Sequence, residues 1–118
     1  MKDLKISEMM SQQRELWEKY KDKWSPMEPP YGRDSILWMI EELGEVIAII
    51  KKRGETAIME DVKVRSAFVE EFADVLMYLT DAMLRYGVTP DEISSAYVSK
   101  HNKNMVRDFD REHSRYLK

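Results

Sequence analysis

The amino-acid sequence predicts an all-α protein with four helices in one domain. Glycine and proline are sparse, with four of each among 118 residues, while residues that favour helix are plentiful. A chain of this length can form one core that buries about 65% of its unfolded surface. We therefore expect a single domain over residues 1–118, in which 108–118 form a charged tail.

A proline-rich stretch separates the first two predicted helices. Helix 1 is expected over about 7–24, and residues 25–32 break it, because proline removes a backbone donor and disfavours helix in the residue before it. Asp34 is the expected N-cap of helix 2. That helix is predicted to end at Arg53, with Gly54 in the position that glycine favours after a helix.

The second half of the chain predicts two further helices. Residues 54–63 form a polar connection, and helix 3 is expected over about 64–86, closing with Gly87. The sequence of 89–92, Thr-Pro-Asp-Glu, combines a capping box with proline at the first helical position, which is the clearest helix start in the chain. Helix 4 is predicted to continue to about Arg107.

Composition excludes several functional classes. The absence of cysteine excludes disulfides, thiolate metal sites and thiol nucleophiles, and it suits the cytoplasm, where we expect the protein. The start of the chain lacks the apolar core of a signal peptide. The longest apolar run, Val46 to Ile50, is far short of the roughly 20 residues that span a bilayer. With a net charge of -3, no binding of a nucleic-acid polymer is expected.

Two acidic motifs on neighbouring helices are the strongest functional signal. They are Glu41-Glu42-Leu43-Gly44-Glu45 and Glu71-Phe72-Ala73-Asp74. Each contains two carboxylates three residues apart, and such residues share a helix face with Cβ atoms about 5–6 Å apart. Antiparallel packing of the two helices would bring four carboxylates together, and these repel one another unless a cation lies among them. Carboxylate oxygens select Mg²⁺, Mn²⁺ or Ca²⁺.

The angular positions of these acids argue against a simple solvated face. The Glu42–Glu45 pair lies roughly 60° apart with Trp38 projecting between its members. Glu71 interrupts the apolar surface of helix 3, while Asp74 lies at the edge of that surface, next to Asp81 on the polar side. An unpaired carboxylate on apolar surface is unfavourable. Either a metal ion or a Lys or Arg partner would compensate.

Helix 4 carries a polar stripe formed by Lys100, Asn104 and Arg107, at positions i, i+4 and i+7. If this stripe faced the acids directly, it would form salt bridges with them. Across a cleft, it would suit a phosphorylated ligand with Mg²⁺ between acids and phosphates. A solvated amphipathic face is the remaining interpretation.

The acidic motifs also resemble a family signature. The pattern is Glu41-Glu42-x-x-Glu45, a spacer of 25 residues, then Glu71-x-x-Asp74. It resembles the MazG-like nucleoside triphosphate pyrophosphohydrolases, an all-α superfamily that includes the dimeric dUTPases and the dCTP pyrophosphatases. Tyr78 and the Lys100-x-x-x-Asn104 pair are similar to features of the dUTPase and dCTPase branches. The resemblance covers residues 34–107.

This resemblance implies a four-helix MazG-like bundle completed by oligomerisation, as a homodimer or a dimer of dimers. The implied activity is Mg²⁺-dependent hydrolysis between the α- and β-phosphates, with Mn²⁺ as the alternative metal. Its products would be a nucleoside monophosphate and pyrophosphate, from a (deoxy)ribonucleotide removed as house-cleaning. This chemistry requires no Ser, Cys or His nucleophile.

Roles follow by position within the family pattern. The implied metal ligands are Glu42, Glu45, Glu71 and Asp74. Glu41 would support these ligands or orient the attacking water. Lys100 and Arg107 would neutralise phosphate charge, and Asn104 and Tyr78 would place the sugar or a phosphate.

Aromatic residues are concentrated in the first third of the chain: Trp17, Trp24, Tyr31 and Trp38. They belong to the core or to a subunit interface, or one of them stacks on a nucleobase, and Trp38 lies one helical turn before the acids. Two other functions fit the acidic helices. One is a helical regulatory or scaffold protein, and the other is a di-iron bundle, which typically needs a Glu-x-x-His motif that neither acidic segment supplies.

Overall fold

A computed structural model describes residues 1–108 of the chain and contains four α-helices and no strand over that range. The helices are α1 Ile6–Tyr20, α2 Pro29–Glu60, α3 Val62–Arg85 and α4 Pro90–Val106. The all-α prediction with four helices is confirmed. The predicted charged tail lies outside the described residues, apart from Asp108.

Helix α2 begins earlier than the sequence analysis predicts. Pro29 and Pro30 form its first turn, where the missing N–H is not needed and the fixed φ of proline suits a helix. The prolines therefore open α2 rather than only ending the helix before it. Asp34 consequently lies inside α2, and the expectation that it caps this helix is wrong.

Gly54 interrupts the helical backbone of α2 at the position where the sequence predicts a helix end. Its backbone has φ 80° and ψ 163°, a conformation that is essentially restricted to glycine. Helical structure resumes beyond it, so the polar connection predicted over 54–63 contains a short helical segment that ends at Glu60. Asp61 then caps α3 by accepting hydrogen bonds from the backbone N–H groups of Lys63 and Val64, at 2.9 and 3.3 Å.

The sequence predicts the start of α4 more accurately than the end of α1. Helix α1 stops at Tyr20, four residues before the predicted end, and a turn follows in which the Trp24 N–H donates to the Tyr20 carbonyl. The capping box of α4 is confirmed. The Glu92 N–H donates to Thr89 Oγ1 at 3.1 Å, and the Thr89 N–H donates to Glu92 Oε1 at 3.0 Å.

Helices α2 and α3 form an antiparallel hairpin joined at Asp61, and this hairpin contains the main packing of the chain. Helix α1 packs on α3. Helix α4 approaches α1, and within residues 1–108 its backbone does not approach α2 or α3. No helix of the described part is both long and apolar enough to cross a membrane.

The core of one chain is small. Its buried apolar side chains are Met10, Val46, Ile58, Val64 and Ala82. The hairpin meanwhile exposes two apolar rows at helical spacing. We call them the α2 row, Ile36, Ile40, Leu43 and Ile47, and the α3 row, Val69, Phe72, Leu76 and Leu79. The radius of gyration is 17.8 Å, against about 13 Å for a compact domain of this length.

Candidate metal centre and adjoining cavity

The α2–α3 hairpin brings three of the four predicted metal ligands together. Glu42 on α2 and Glu71 and Asp74 on α3 each offer a carboxylate oxygen, and these oxygens lie within 4.8 Å of one another. All three side chains are half-buried. The convergence expected from two helical motifs is thus present in a single chain.

Glu71 is the residue of this acidic cluster whose pKa is raised by its carboxylate neighbours. Its pKa is raised above the ordinary value, first by a hydrogen bond with the Glu42 carboxyl, then by partial burial, and then by neighbouring negative charge. Its Oε2 atom is buried without a hydrogen-bond partner in the described part of the chain. A buried carboxylate oxygen without a donor, among other carboxylates, is the arrangement that a hard divalent cation satisfies.

The other two predicted acids lie at the margin of the cluster. Glu45 and Glu41 are exposed and do not belong to the group of three converging residues. Glu45 is nevertheless close enough for its charge to raise the pKa of Glu71, and the charge of Glu41 raises the pKa of Tyr78. Their roles stay predictions.

Tyr78 and Trp38 stand beside the acids, as the sequence suggested. Their rings meet edge to face with centroids 6.1 Å apart. The pKa of the Tyr78 phenol is raised, chiefly by burial and then by neighbouring carboxylates, beginning with Glu42 and Asp74. The phenol therefore stays protonated at neutral pH and retains a hydrogen that it can donate to an anionic ligand.

A cavity of about 440 Å³ adjoins the cluster between α1, α2 and α3, within the usual size range of small-molecule sites. Its lining includes Trp24, Trp38, Asp74, Tyr78, Asp81 and Arg85. Asp74 belongs to both the acidic cluster and the cavity wall. One ligand that places anionic groups at the cluster can therefore extend into the cavity.

The aromatic residues of the first third divide between structural and cavity positions. Trp17 donates from Nε1 to the Ser25 carbonyl at 2.9 Å and so holds the α1–α2 connection. Trp24 stacks on Tyr20, with ring centroids 5.2 Å apart, and also lines the cavity. Tyr31 is half-buried near the start of α2. Trp24 and Trp38 are thus the tryptophans placed to contact a ligand.

Sequence reasoning missed a buried ion pair in the lining of this cavity. Asp81, which it placed on the polar side of helix 3, is only 5% exposed, and Arg85 is 4% exposed. Arg85 Nε donates to Asp81 Oδ2 at 2.7 Å, and the buried Ser35 hydroxyl on α2 donates to the same oxygen. The spacing, in which Asp81 and Arg85 continue the stripe of Asp74 and Tyr78 by three and four residues, indicates an ion pair but not its burial.

Arg85 also fixes the α1–α2 connection. Its Nη1 group lies 3.0 Å from the Ser25 carbonyl oxygen, 2.8 Å from Ser25 Oγ and 2.8 Å from the Pro26 carbonyl oxygen. The segment that carries Trp24 is therefore anchored to α3 by one guanidinium group. The Asp81–Arg85 ion pair is thus connected through hydrogen bonds to the segment that forms part of the cavity wall.

The predicted stripe on α4 does not reach the acids within one chain. Lys100 is exposed, and Arg107 Nη1 lies 3.3 Å from Asn104 Oδ1. Because α4 approaches α1 rather than the hairpin, the stripe and the acidic cluster remain on separate parts of the described structure. The proposed phosphate-binding role of these three residues stays a prediction.

Comparison with known protein families identifies the class of this protein. A family model that matches residues 36–115 places the chain among the nucleoside triphosphate pyrophosphohydrolases, and the matched region includes both acidic motifs. Within that class the model describes the dATP/dGTP pyrophosphohydrolases, and the chain belongs to this family. No curated protein and no solved structure matches the chain. The enzyme class predicted from the acidic motifs is confirmed, while the narrower MazG-like assignment stays a prediction.

Proposed function

We propose that this enzyme hydrolyses a purine deoxyribonucleoside triphosphate between its α- and β-phosphates and depends on Mg²⁺ to do so. The products would be the nucleoside monophosphate and pyrophosphate. The observation that carries the proposal is the convergence of Glu42, Glu71 and Asp74 beside an aromatic-lined cavity, within the region matched by the family model. The expected compartment is the cytoplasm.

The carboxylates of the cluster fit a hard divalent cation. Glu42, Glu71 and Asp74 would hold it, and we propose Glu45, on the same helix as Glu42, as a further ligand. Mn²⁺ accepts the same oxygen donors and would substitute for Mg²⁺. When bound, the metal supplies positive charge that neutralises phosphate oxygens and acidifies a nearby water.

The remaining side chains have separate tasks in this proposal. Glu41, exposed at the edge of the cluster, would orient the attacking water. Tyr78, whose phenol stays protonated, would donate a hydrogen bond to the sugar or to a phosphate. The Trp24 and Trp38 faces would contact the base, since aromatic faces stack on any nucleobase.

A second copy of the chain would complete the site. The α2 row and the α3 row expose apolar side chains at coiled-coil-like spacing, and isolated soluble chains rarely expose surfaces of this kind. We propose that two hairpins pack through these rows, as a homodimer or a dimer of dimers. The α4 stripe of one copy, with Lys100 and Arg107, would then reach the phosphates held by the other. A monomeric mass in light scattering at micromolar concentration would contradict this assembly.

The test of activity is a screen of common ribo- and deoxyribonucleoside triphosphates with Mg²⁺, in which pyrophosphate and phosphate release are measured separately. We expect pyrophosphate release, with dATP or dGTP as the best substrate. Glu42→Gln and Glu71→Gln should each lower kcat/KM by about 100-fold or more, since even residues that only support metal ligands contribute 10- to 100-fold. Glu70→Gln, an exposed neighbour on the same helix, is the matched control.

Two results would refute the proposal. Undiminished turnover in both cluster variants would show that these carboxylates do not serve the reaction. If no nucleotide were hydrolysed, with or without divalent metal, the helical regulatory function would be favoured instead.

A further inference from the structure

One oxygen of the buried Asp81 carboxylate lacks a partner. Ser35 Oγ and Arg85 Nε both donate to Oδ2. Oδ1 is buried and has no hydrogen-bond partner among residues 1–108. Buried polar groups are nearly always paired, and an unpaired acceptor is unfavourable. A ligand with a hydrogen-bond donor would satisfy this atom.

The position of Asp81 indicates which part of a ligand it would meet. It lines the cavity together with Asp74, which belongs to the acidic cluster. Asp81 follows Asp74 by seven residues, so two helical turns, or roughly 10 Å along α3, separate the carboxylates. Tyr78 lies between them, and Trp24 and Trp38 line the same cavity. A nucleotide with its phosphates at the cluster would therefore direct its base toward Asp81.

The ion pair also restricts the orientation of the Asp81 carboxylate. Because Arg85 and Ser35 bind Oδ2, the carboxylate cannot rotate without breaking two buried hydrogen bonds. Oδ1 thus stays fixed as an acceptor, and an ionised carboxylate only accepts. A base edge made of carbonyl oxygens would be repelled, whereas an exocyclic amine would be bound.

On the basis of the proposed function, we propose that Asp81 determines base specificity, with its Oδ1 atom accepting a hydrogen bond from the exocyclic amine of a purine base in this cavity. Adenine and guanine both carry such an amine. Asp81 contacts no reacting atom in this arrangement, and its effect is on recognition.

The inference is tested by binding rather than by turnover. Isothermal titration with Mg²⁺ would compare dGMP with dIMP, which lacks the 2-amine, and dAMP with the monophosphate of purine deoxyriboside, which lacks the 6-amine. For whichever natural purine binds better, removal of the amine should weaken binding by about 10- to 100-fold, the usual range for a hydrogen bond to a charged group. Equal affinity within about threefold would overturn the inference.

Asp81→Asn provides a second test, because it replaces the accepting Oδ1 atom by a group that donates. The two donors at Oδ2 would hold the amide oxygen there and leave the NH₂ group at the Oδ1 position, where it faces the amine of the base. The variant should therefore bind the amine-bearing and amine-lacking nucleotides equally, within about threefold. Retained discrimination would overturn the inference. Glu70→Gln, at an exposed position on the same helix, is the control and should keep the discrimination of the native protein.

The outcomes separate this inference from the proposed function. The comparison with the unmodified protein does not depend on whether Asp81→Asn folds. Discrimination between monophosphates without triphosphate hydrolysis would refute the proposed activity and support the base site. Hydrolysis without discrimination would refute the base site alone. If neither dAMP nor dGMP bound at millimolar concentration, the base site would also be refuted.

Discussion

Replacement of Arg85 by methionine tests how the cavity is held together. The substitution keeps an unbranched apolar stem of similar length and removes the guanidinium. That group makes a 2.7 Å ion pair with Asp81 and contacts the carbonyl oxygens of Ser25 and Pro26 at 3.0 and 2.8 Å. Both charged side chains are almost wholly buried, with 3% and 7% exposure. Arg85→Met therefore leaves a buried carboxylate with the Ser35 hydroxyl as its remaining donor.

The magnitude follows from these contacts. Breaking a buried ion pair by removing one partner destabilises by about 3–5 kcal/mol, because the other charge stays in the interior. Each hydrogen bond to the connection contributes about 1 kcal/mol net, but Ser25 is half-buried and Pro26 is exposed, so their carbonyl groups regain water. We expect a total loss of about 4–6 kcal/mol, which is a large part of the roughly 5–15 kcal/mol that stabilises a typical domain.

The assay is urea denaturation followed by circular dichroism at fixed protein concentration. The midpoint should fall by about 1.3–6 M urea, given m-values of about 1–3 kcal/mol/M, or the variant should be unfolded in buffer. Arg33→Met is the control at an exposed position on α2 and should change stability by less than about 0.5 kcal/mol. The double variant Asp81→Leu/Arg85→Met should be more stable than Arg85→Met, because it leaves no buried charge. A loss below about 1 kcal/mol in Arg85→Met would refute the reasoning.

Three further predictions concern the cluster and the helix boundaries. Because the pKa of Glu71 is raised above 4.5 in the folded state, its contribution to stability is present below pH 4.5 and is lost as pH rises through the raised value. In EDTA, Glu71→Gln should therefore raise Tm at pH 7.5 and have little effect at pH 4, whereas equal shifts at both pH values would contradict this sign. Thr89→Ala should destabilise by about 1 kcal/mol in urea titrations while Thr89→Ser does not, since only the former removes the cap. Gly54→Ala should cost about 1–3 kcal/mol because of its positive φ, whereas Gly44→Ala, in regular helix with open space around it, should be neutral or stabilising.

The acidic cluster was predictable because helical geometry determines it locally. Residues three apart share a face, and two adjacent helices with such pairs must present them together in an antiparallel hairpin. Glu42, Glu71 and Asp74 accordingly converge as expected. The enzyme class was predictable for a related reason, since the spacing that assembles the cluster is also what the family shares.

The helix boundaries were less predictable because proline and glycine are each compatible with more than one position relative to a helix. Proline ends a helix from within but opens one at its first turn, so Pro29 and Pro30 predict a break although they start α2. Glycine after a basic turn is typical of a helix end. At Gly54 the regular helix does break, but helical structure resumes directly after it, and Ile58 in the resumed part is buried.

The burial of Asp81 could not be read from its own helix. At 100° per residue, Asp81 lies roughly 20° from Asp74, and both sit at the edge of the apolar surface of α3. Whether that edge is solvated depends on what covers it. Here α1 and the connection after it pack against α3, and Arg85 binds Ser25 across a separation of 60 residues. Such a contact leaves no local trace in the sequence.

Spacing along α3 also accounts for the combination of a polar site with a small apolar core in one chain. Its polar positions follow each other by three and four residues: Glu71, Asp74, Tyr78, Asp81 and Arg85. In a helical bundle this spacing normally belongs to the apolar seam that holds the helices together. On α3, polar residues of the proposed site therefore occupy the positions that an apolar seam would normally take. The apolar side chains of the hairpin form the exposed α2 and α3 rows. The stability that the seam does not supply has to come from those rows and from ligands bound at the acids, so association, metal binding and folding should be thermodynamically linked.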